Sequence, residues 1–218
     1  MGSFQHSPWR NLCYTLWFPV YFLLYLVIER LIPSAAWTTQ LPLDGYIPFC
    51  EWFVIPYCLW YPLLVVVGIY LLLRDPGAFR RYMCFLAWSF FLSELIWFLF
   101  PNGQNLRPSV MPRENLLTSL ISLIYSADTN TNVFPSVHVV GSLGAMLAVW
   151  DCWGLREKHP GICWATSLLG VLICLSTLFI KQHAALDVIS GILLSLIVAI
   201  PVYHSSPAFC FFPRPKKV

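Results

Sequence analysis

Charge is what this 218-residue chain has least of: Asp, Glu, Lys and Arg make up 11% of it, against 58% hydrophobic residues. A soluble domain carries about 25% charged residues, so the shortage excludes a water-coated globular domain. Disorder is excluded as well, because there is ample apolar surface to bury. The basic excess of +3 is too small for a nucleic-acid partner. Metal-ligand spacing is lacking too. The eight Cys (13, 50, 58, 84, 152, 163, 174 and 210) form no close pair and no zinc-type pattern, so they read as buried reduced thiols. No His-Glu-x-x-His occurs, and neither a metal nor a cofactor is expected. No internal repeat and no low-complexity tract is visible.

What the chain does have is long apolar runs. At about 20 residues per membrane pass, six passes consume the whole length and predict one membrane domain over 1–218. The expected fold is all-α, a six-transmembrane-helix bundle with spans near 11–32, 52–73, 82–100, 136–154, 161–180 and 184–203. The fourth and sixth are the weakest candidates. A signal peptide competes for the first run, since Ser34, Ala35 and Ala36 resemble a cleavage site, but the run exceeds a usual signal core and has only Arg10 as a basic flank. The loop between spans three and four contains an amphipathic stretch, 114–125, with Leu116, Leu117, Leu120, Ile121, Leu123 and Ile124 on one stripe. It is too short to cross and reads as a short interfacial helix.

Lys and Arg orient the bundle. Arg10, Arg74, Arg80, Arg81, Arg156, Lys158, Arg214, Lys216 and Lys217 fall on one side, and Arg30, Arg107, Arg113 and Lys181 on the other. The bias predicts cytoplasmic N- and C-termini, the Pro-rich tail Pro207–Pro215 included. Small size without extra domains points to a bacterial cytoplasmic membrane, with the endoplasmic reticulum as the alternative.

The few charges left on the opposite, extracytoplasmic side form a chemically coherent set: Arg107, Lys181, His183 and Asp187, with Ser136 and His138 at the start of span four. Ionisable groups at membrane depth are costly and hence functional candidates. Taken singly, each has a plain structural reading as an interfacial charge or a satisfied helix end. His183 and Asp187 lie four apart and share a helix face if the last span begins near Gln182, which lets the carboxylate orient the imidazole. Pro135 suits a first helical position, so Ser136 to His138 form a helix N-terminal turn able to meet an anion, and Arg107 adds a planar donor fork. Two His, a carboxylate, cations and a helix N-terminus suit attack on phosphorus. Glu94, about 9 Å deep in span three at about 1.5 Å per residue, is an accessory candidate that pairs with Arg107 or a substrate hydroxyl. Alternatively it is protonated and packed against another helix.

These residues resemble the motifs of the type-2 phosphatidic acid phosphatase superfamily, whose members have six transmembrane helices and a metal-independent site on the outer or luminal face. Ser176-Thr177-x5-His183-x3-Asp187 resembles its Ser-Arg-x5-His-x3-Asp motif. Pro135-Ser136-Val137-His138 resembles Pro-Ser-Gly-His, and Phe100-x6-Arg107-Pro108 resembles Lys-x6-Arg-Pro. The resemblance implies that His183 forms a phosphohistidine, Asp187 orients it and His138 protonates the departing oxygen, while Arg107 and Ser136 hold phosphate. Two basic positions depart from the pattern, with Phe100 in place of Lys and Thr177 in place of Arg. Lys181, four residues after Thr177, is the candidate replacement. The implied function is a lipid phosphatase of the phosphatidic acid type. The missing cations tilt the reading toward phosphodiesters and a sphingolipid-synthase-like phosphotransferase that moves a headgroup to a lipid alcohol. Two other classes compete: a non-catalytic lipid or anion transporter, and a metal hydrolase liganded by His138, His183 and Asp187. The expected partners are a lipid substrate and the membrane.

Overall fold

Apolar runs bounded by Pro, Gly and charge become helices, since a chain in lipid has to satisfy its own backbone hydrogen bonds. In the computed structural model, which describes residues 8–32 and 34–204, short 3₁₀ turns at Pro8–Thr15 lead into α1 (Trp17–Leu31). Then follow α2 (Val54–Cys58), α3 (Trp60–Arg74), α4 (Pro76–Leu99), α5 (Leu116–Ala127), α6 (Val137–Asp151), α7 (Trp153–Lys158), α8 (Pro160–Phe179) and α9 (Ala185–Ala199). The tail Pro207–Pro215, Cys210 and the charges Arg214, Lys216 and Lys217 lie outside the described residues. Among the described residues, five segments are long and apolar enough to cross a membrane: Asn11–Leu31, Glu51–Arg74, Pro76–Leu99, Pro160–Phe179 and Ala185–Tyr203. They make this an integral membrane protein.

The fourth predicted span is the exception. With 15 residues, α6 reaches about 22 Å, short of the ~30 Å hydrocarbon core. It is the central helix and lies against α3, α4, α8 and α9. Small residues on it (Gly141, Ser142, Gly144, Ala145, Ala148) let four neighbours approach. A Cβ at Gly141 would stand 2.8 Å from Trp60 Nε1 and 2.9 Å from Trp60 Cζ2. Gly141→Ala is therefore expected to lower stability by about 1–3 kcal/mol and to displace the Trp60 ring, read out by thermal unfolding in detergent and by activity.

Several boundaries differ from expectation. Span two bends at Leu59, because Pro62 withholds the N–H that would bond the Cys58 carbonyl. Span three starts at Pro76 instead of 82, since Asp75 Oδ1 accepts from Gly77 and Ala78 N–H and Pro76 occupies the first helical position. Arg80 and Arg81 are thus helical, not part of a connection. Arg81 pairs with Asp151 at 2.6 Å and Arg80 donates to Asn11, so the starts of the chain and of α4 meet the end of α6.

At the other end of the bundle, Trp37–Thr38 pairs in parallel with Asn102–Gly103. The buried Asn102 side chain accepts from Val133 and Phe134 N–H and donates to the carbonyls of Phe100 and Phe134, which aims the segment before α6. Glu29 at the end of α1 accepts from Thr129 and Asn132. The helix α5 runs two residues later than predicted, from its Asn115 cap, and inserts Ile121 beside Val54, Tyr57 and Ile180.

Candidate active site

The turn between α8 and α9 carries the first histidine. Helix α8 stops at Phe179, and the Thr177 carbonyl then accepts from both Gln182 and His183 N–H, at 2.9 and 3.0 Å. Lys181 reverses the chain with φ 55°, a left-handed conformation usually left to Gly. This is how a tight turn forms without Gly or Pro. It also corrects the sequence reading: no helix begins near Gln182. Ala184 is the N-cap of α9, His183 precedes it, and Asp187 is the third helical residue. His183 and Asp187 therefore meet because Asp187 folds back on the helix start, and not as neighbours on one helix face. Asp187 Oδ2 accepts from Ala184 N–H at 2.7 Å and lies 3.5 Å from His183 Nδ1. A second acid, Asp44, satisfies the next free donor by accepting from Ala185 N–H at 2.7 Å.

The second histidine comes from α6. Ser136 is the N-cap, so Pro135 lies one residue outside the helix and not in its first turn. Ser136 Oγ accepts from Val139 N–H at 3.4 Å, and Ser136 N–H donates to the Asp187 carbonyl at 3.1 Å. Gly191 keeps this seam close, since a Cβ there would meet the Ser136 carbonyl at 3.0 Å. The result is that the first turns of α6 and α9 face each other, with His138 Nδ1 3.4 Å from His183 Nε2. His138 is held between the rings of Tyr57 (4.7 Å between centroids) and Trp60 (4.5 Å). The order is Asp187, His183, His138. In it, His183 Nε2 faces His138 and Nδ1 faces Asp187. The 3.5 Å carboxylate–imidazole separation is within ion-pair range but long for a hydrogen bond, and Asp187 Oδ1 has no partner. Such contacts tighten once substrate is bound.

The cations are placed differently from expectation. The Arg107 guanidinium donates to the carbonyls of Tyr125 (3.1 Å), Asp128 (2.9 Å) and Thr129 (2.6 Å), and to Gln182 Oε1, and it lies 4.5 Å over the Tyr125 ring. Only its Nε lacks a partner. It braces the loop against Gln182, the residue before His183. Burial lowers the Arg107 pKa, with Asp128 opposing, and pushes the Tyr125 hydroxyl up to about 12. Lys181 is not among the residues around the histidines. Its ammonium donates to the carbonyls of Asp44 and Ile47, and burial lowers its pKa. The expectation that Lys181 continues the helical face of Thr177 fails because α8 has already ended. Thr177 itself is fully buried and bonds back to the Cys174 carbonyl. Glu94 is buried with neither oxygen paired, and so it does not meet Arg107. Lys181→Met is expected to cost about 2–3 kcal/mol, the loss of charged hydrogen bonds in a buried clamp, measured by chemical or thermal unfolding. The ranking of phosphate substrates by charge should stay as it is.

Residues not singled out from the sequence complete the site. Asp128 accepts from Tyr25 OH (3.4 Å) and from Gln182 Nε2 (3.5 Å). Burial raises its pKa, with His183 and Arg107 opposing. Asp44 and Gln104 fix the turn, the latter by donating to the carbonyls of Lys181 and Gln182. The available signal was the rarity of acids on that side of the chain. Among the described residues no three His, Cys, Asp or Glu side chains gather as a metal-ligand set.

His138 and His183 stand at the polar end of a cavity of about 900 Å³ between α1, α3 and α4. Its body is apolar and extends along α3 from Trp60 to Leu72, about 18 Å at about 1.5 Å per residue. A family model described as the PAP2 superfamily matches residues 82–209, which run from α4 to beyond α9 and include both histidines. No curated protein and no solved structure matches the chain.

Proposed function

Because the chain belongs to the PAP2 superfamily, whose activity is of the phosphatase type on phosphate esters, we propose that it cleaves the phosphate ester of a membrane lipid through a phosphohistidine on His183. The observation that carries this reading is the row Asp187–His183–His138, with spacings of 3.5 and 3.4 Å, at the mouth of a long apolar cavity. The cavity takes the acyl chains and the row meets the phosphate.

In the first step the lone pair of His183 Nε2 attacks phosphorus, the P–O bond to the lipid breaks, and protonated His138 gives its proton to the departing oxygen. In the second step water attacks phosphorus, its proton goes to His138, and the N–P bond breaks to free His183. Asp187 holds His183 Nδ1–H throughout and stabilises the positive ring. An attacking distance of about 3–3.5 Å plus a departing oxygen does not fit between rings 3.4 Å apart. Substrate entry therefore moves His138 away from His183 within its Tyr57–Trp60 sandwich. Ser136 and Arg107 act in phosphate binding: Ser136 at the α6 N-terminus, Arg107 through Nε, its free donor.

A transferase using a lipid alcohol in place of water is the second reading. It is favoured by the cation-poor site, now that Lys181 is engaged with the Asp44–Ile47 loop. In both readings the chain is one membrane domain, 1–218, in which α6 is the fourth of six crossings and α5 lies at the interface. The termini are cytoplasmic and the site faces the extracytoplasmic side of a bacterial cytoplasmic membrane.

The test is rapid quenching of the purified protein with lipid carrying labelled phosphate. An acid-labile label on the wild-type chain that is missing from His183→Ala is the expected result. Turnover without any covalent label would refute the phosphohistidine. Free phosphate among the products identifies the phosphatase, and a new headgroup-bearing lipid identifies the transferase.

A further inference from the structure

Asp128 takes part in neither step above, yet its carboxylate lines the same polar end of the cavity as His138 and His183. Around it the charges do not suit a dianion. Arg107 is bound to Asp128's own carbonyl, Lys181 is turned to another loop, and Asp187 and Glu29 add negative charge nearby. A phosphomonoester carries about −1.5 to −2 near neutral pH and would meet these carboxylates with a single guanidinium beside it. A phosphodiester carries one negative charge less, and a cationic group beyond phosphorus would meet the acid.

The surroundings of Asp128 are of the kind that hold such a cation. Tyr25 donates to it, and Gln182 Nε2, which also donates to it, reaches the Tyr57 hydroxyl at 3.4 Å. Tyr25, Tyr57 and Tyr61 line the cavity, as Trp60 does. A carboxylate in an aromatic-lined cavity attracts an ammonium by charge, and any ring face turned to that cation adds its quadrupole. Asp128 is also tied to the nucleophile, because Gln182, which donates to it, is the residue before His183.

We propose that Asp128, with Tyr25, Tyr57 and Tyr61, is an ammonium-binding site, and that the substrate is a phosphodiester lipid with a cationic headgroup. The inference rests on the phosphohistidine reading and names its substrate class. Attack of His183 Nε2 then breaks the P–O bond to diacylglycerol, which leaves with the proton from His138, and the ammonium-bearing phosphoryl group stays on His183. Water or a lipid hydroxyl releases that group, its proton passing to His138.

The test offers the full chain, in detergent, phosphatidylethanolamine and phosphatidylcholine, and compares them with phosphatidylglycerol, whose headgroup has no cation, and with phosphatidic acid. The expected kcat/KM is at least about tenfold higher for the two zwitterionic lipids, and Asp128→Asn should reduce that ratio by about tenfold. Preference for phosphatidic acid, or a ratio unchanged in Asp128→Asn, overturns the proposal. If the variant does not fold, calorimetry on the wild-type chain decides: phosphocholine should bind at least about tenfold more tightly than glycerol 3-phosphate, and equal binding refutes the ammonium site. Turnover that depends on His183 but ignores the headgroup sinks only this inference. Absence of both turnover and covalent label sinks the phosphohistidine reading, leaving the calorimetry to judge the ammonium site.

Discussion

His183→Ala is expected to reduce lipid turnover by at least about 10⁴-fold, the scale on which removal of a nucleophile acts in enzymes whose catalytic residues work as a unit. The side chain is the only group in the row with a ring nitrogen oriented by a carboxylate, Nδ1 lying 3.5 Å from Asp187. His138 cannot take over, since among the described residues no carboxylate pairs with its ring, which lies between Tyr57 and Trp60. The loss should be in kcat, because the apolar cavity is lined by residues of α1, α3 and α4 that the substitution leaves alone. Folding should survive as well. The turn is held by backbone bonds from Gln182 and His183 N–H to Thr177, and alanine keeps both. Steady-state kinetics together with unfolding of the purified variant separates these outcomes. A His183→Ala protein that still turns over lipid at the wild-type rate would eliminate the enzyme reading, and lipid binding without chemistry in both proteins would favour the transporter.

Asp187→Asn should be nearly as damaging to activity and far less so to stability. The carboxylate has two tasks. It caps α9 by accepting from Ala184 N–H, and it faces His183 Nδ1. An Asn carbonyl oxygen can still cap. It cannot supply the negative charge that holds the tautomer and stabilises the charged ring, a loss worth about 10³–10⁴ in kcat at analogous positions. Asp187→Ala removes both tasks and should cost a further ~1 kcal/mol of stability for the lost cap. Parallel kcat values with different unfolding midpoints are the expected pattern. A kcat within about tenfold of wild type in Asp187→Asn would show that the 3.5 Å contact carries no catalytic weight.

How much of this was legible in advance varies with the physical cause. The apolar runs could be read because lipid exposure requires about 20 residues of unbroken hydrophobicity, and five segments meet that demand. Helix α6 was the weak one because it is short, and its small residues serve packing against four neighbouring helices. The site residues His138, His183 and Asp187 stood out as polar groups where polar groups are costly. The wrong inference was geometric: spacing of four suggested a shared helix face, whereas a cap and a left-handed Lys181 brought the same two residues together by another route.

The cations show the division most clearly. From the sequence alone it follows that this is a helical membrane protein with few charges, that the histidines and their acid are present, and that two expected basic positions are Phe100 and Thr177. Only the tertiary structure decides where the remaining charges go. Lys181 and Arg107 each bind main-chain carbonyls of loops that lie far from them in the chain or on another element. Asp44 and Asp128 reach the site from segments that nothing in their local sequence ties to it. Hydrophobicity and helix formation are local and read along the chain. The field around a phosphate is a sum over groups brought together by long-range contacts, and no spacing rule contains it.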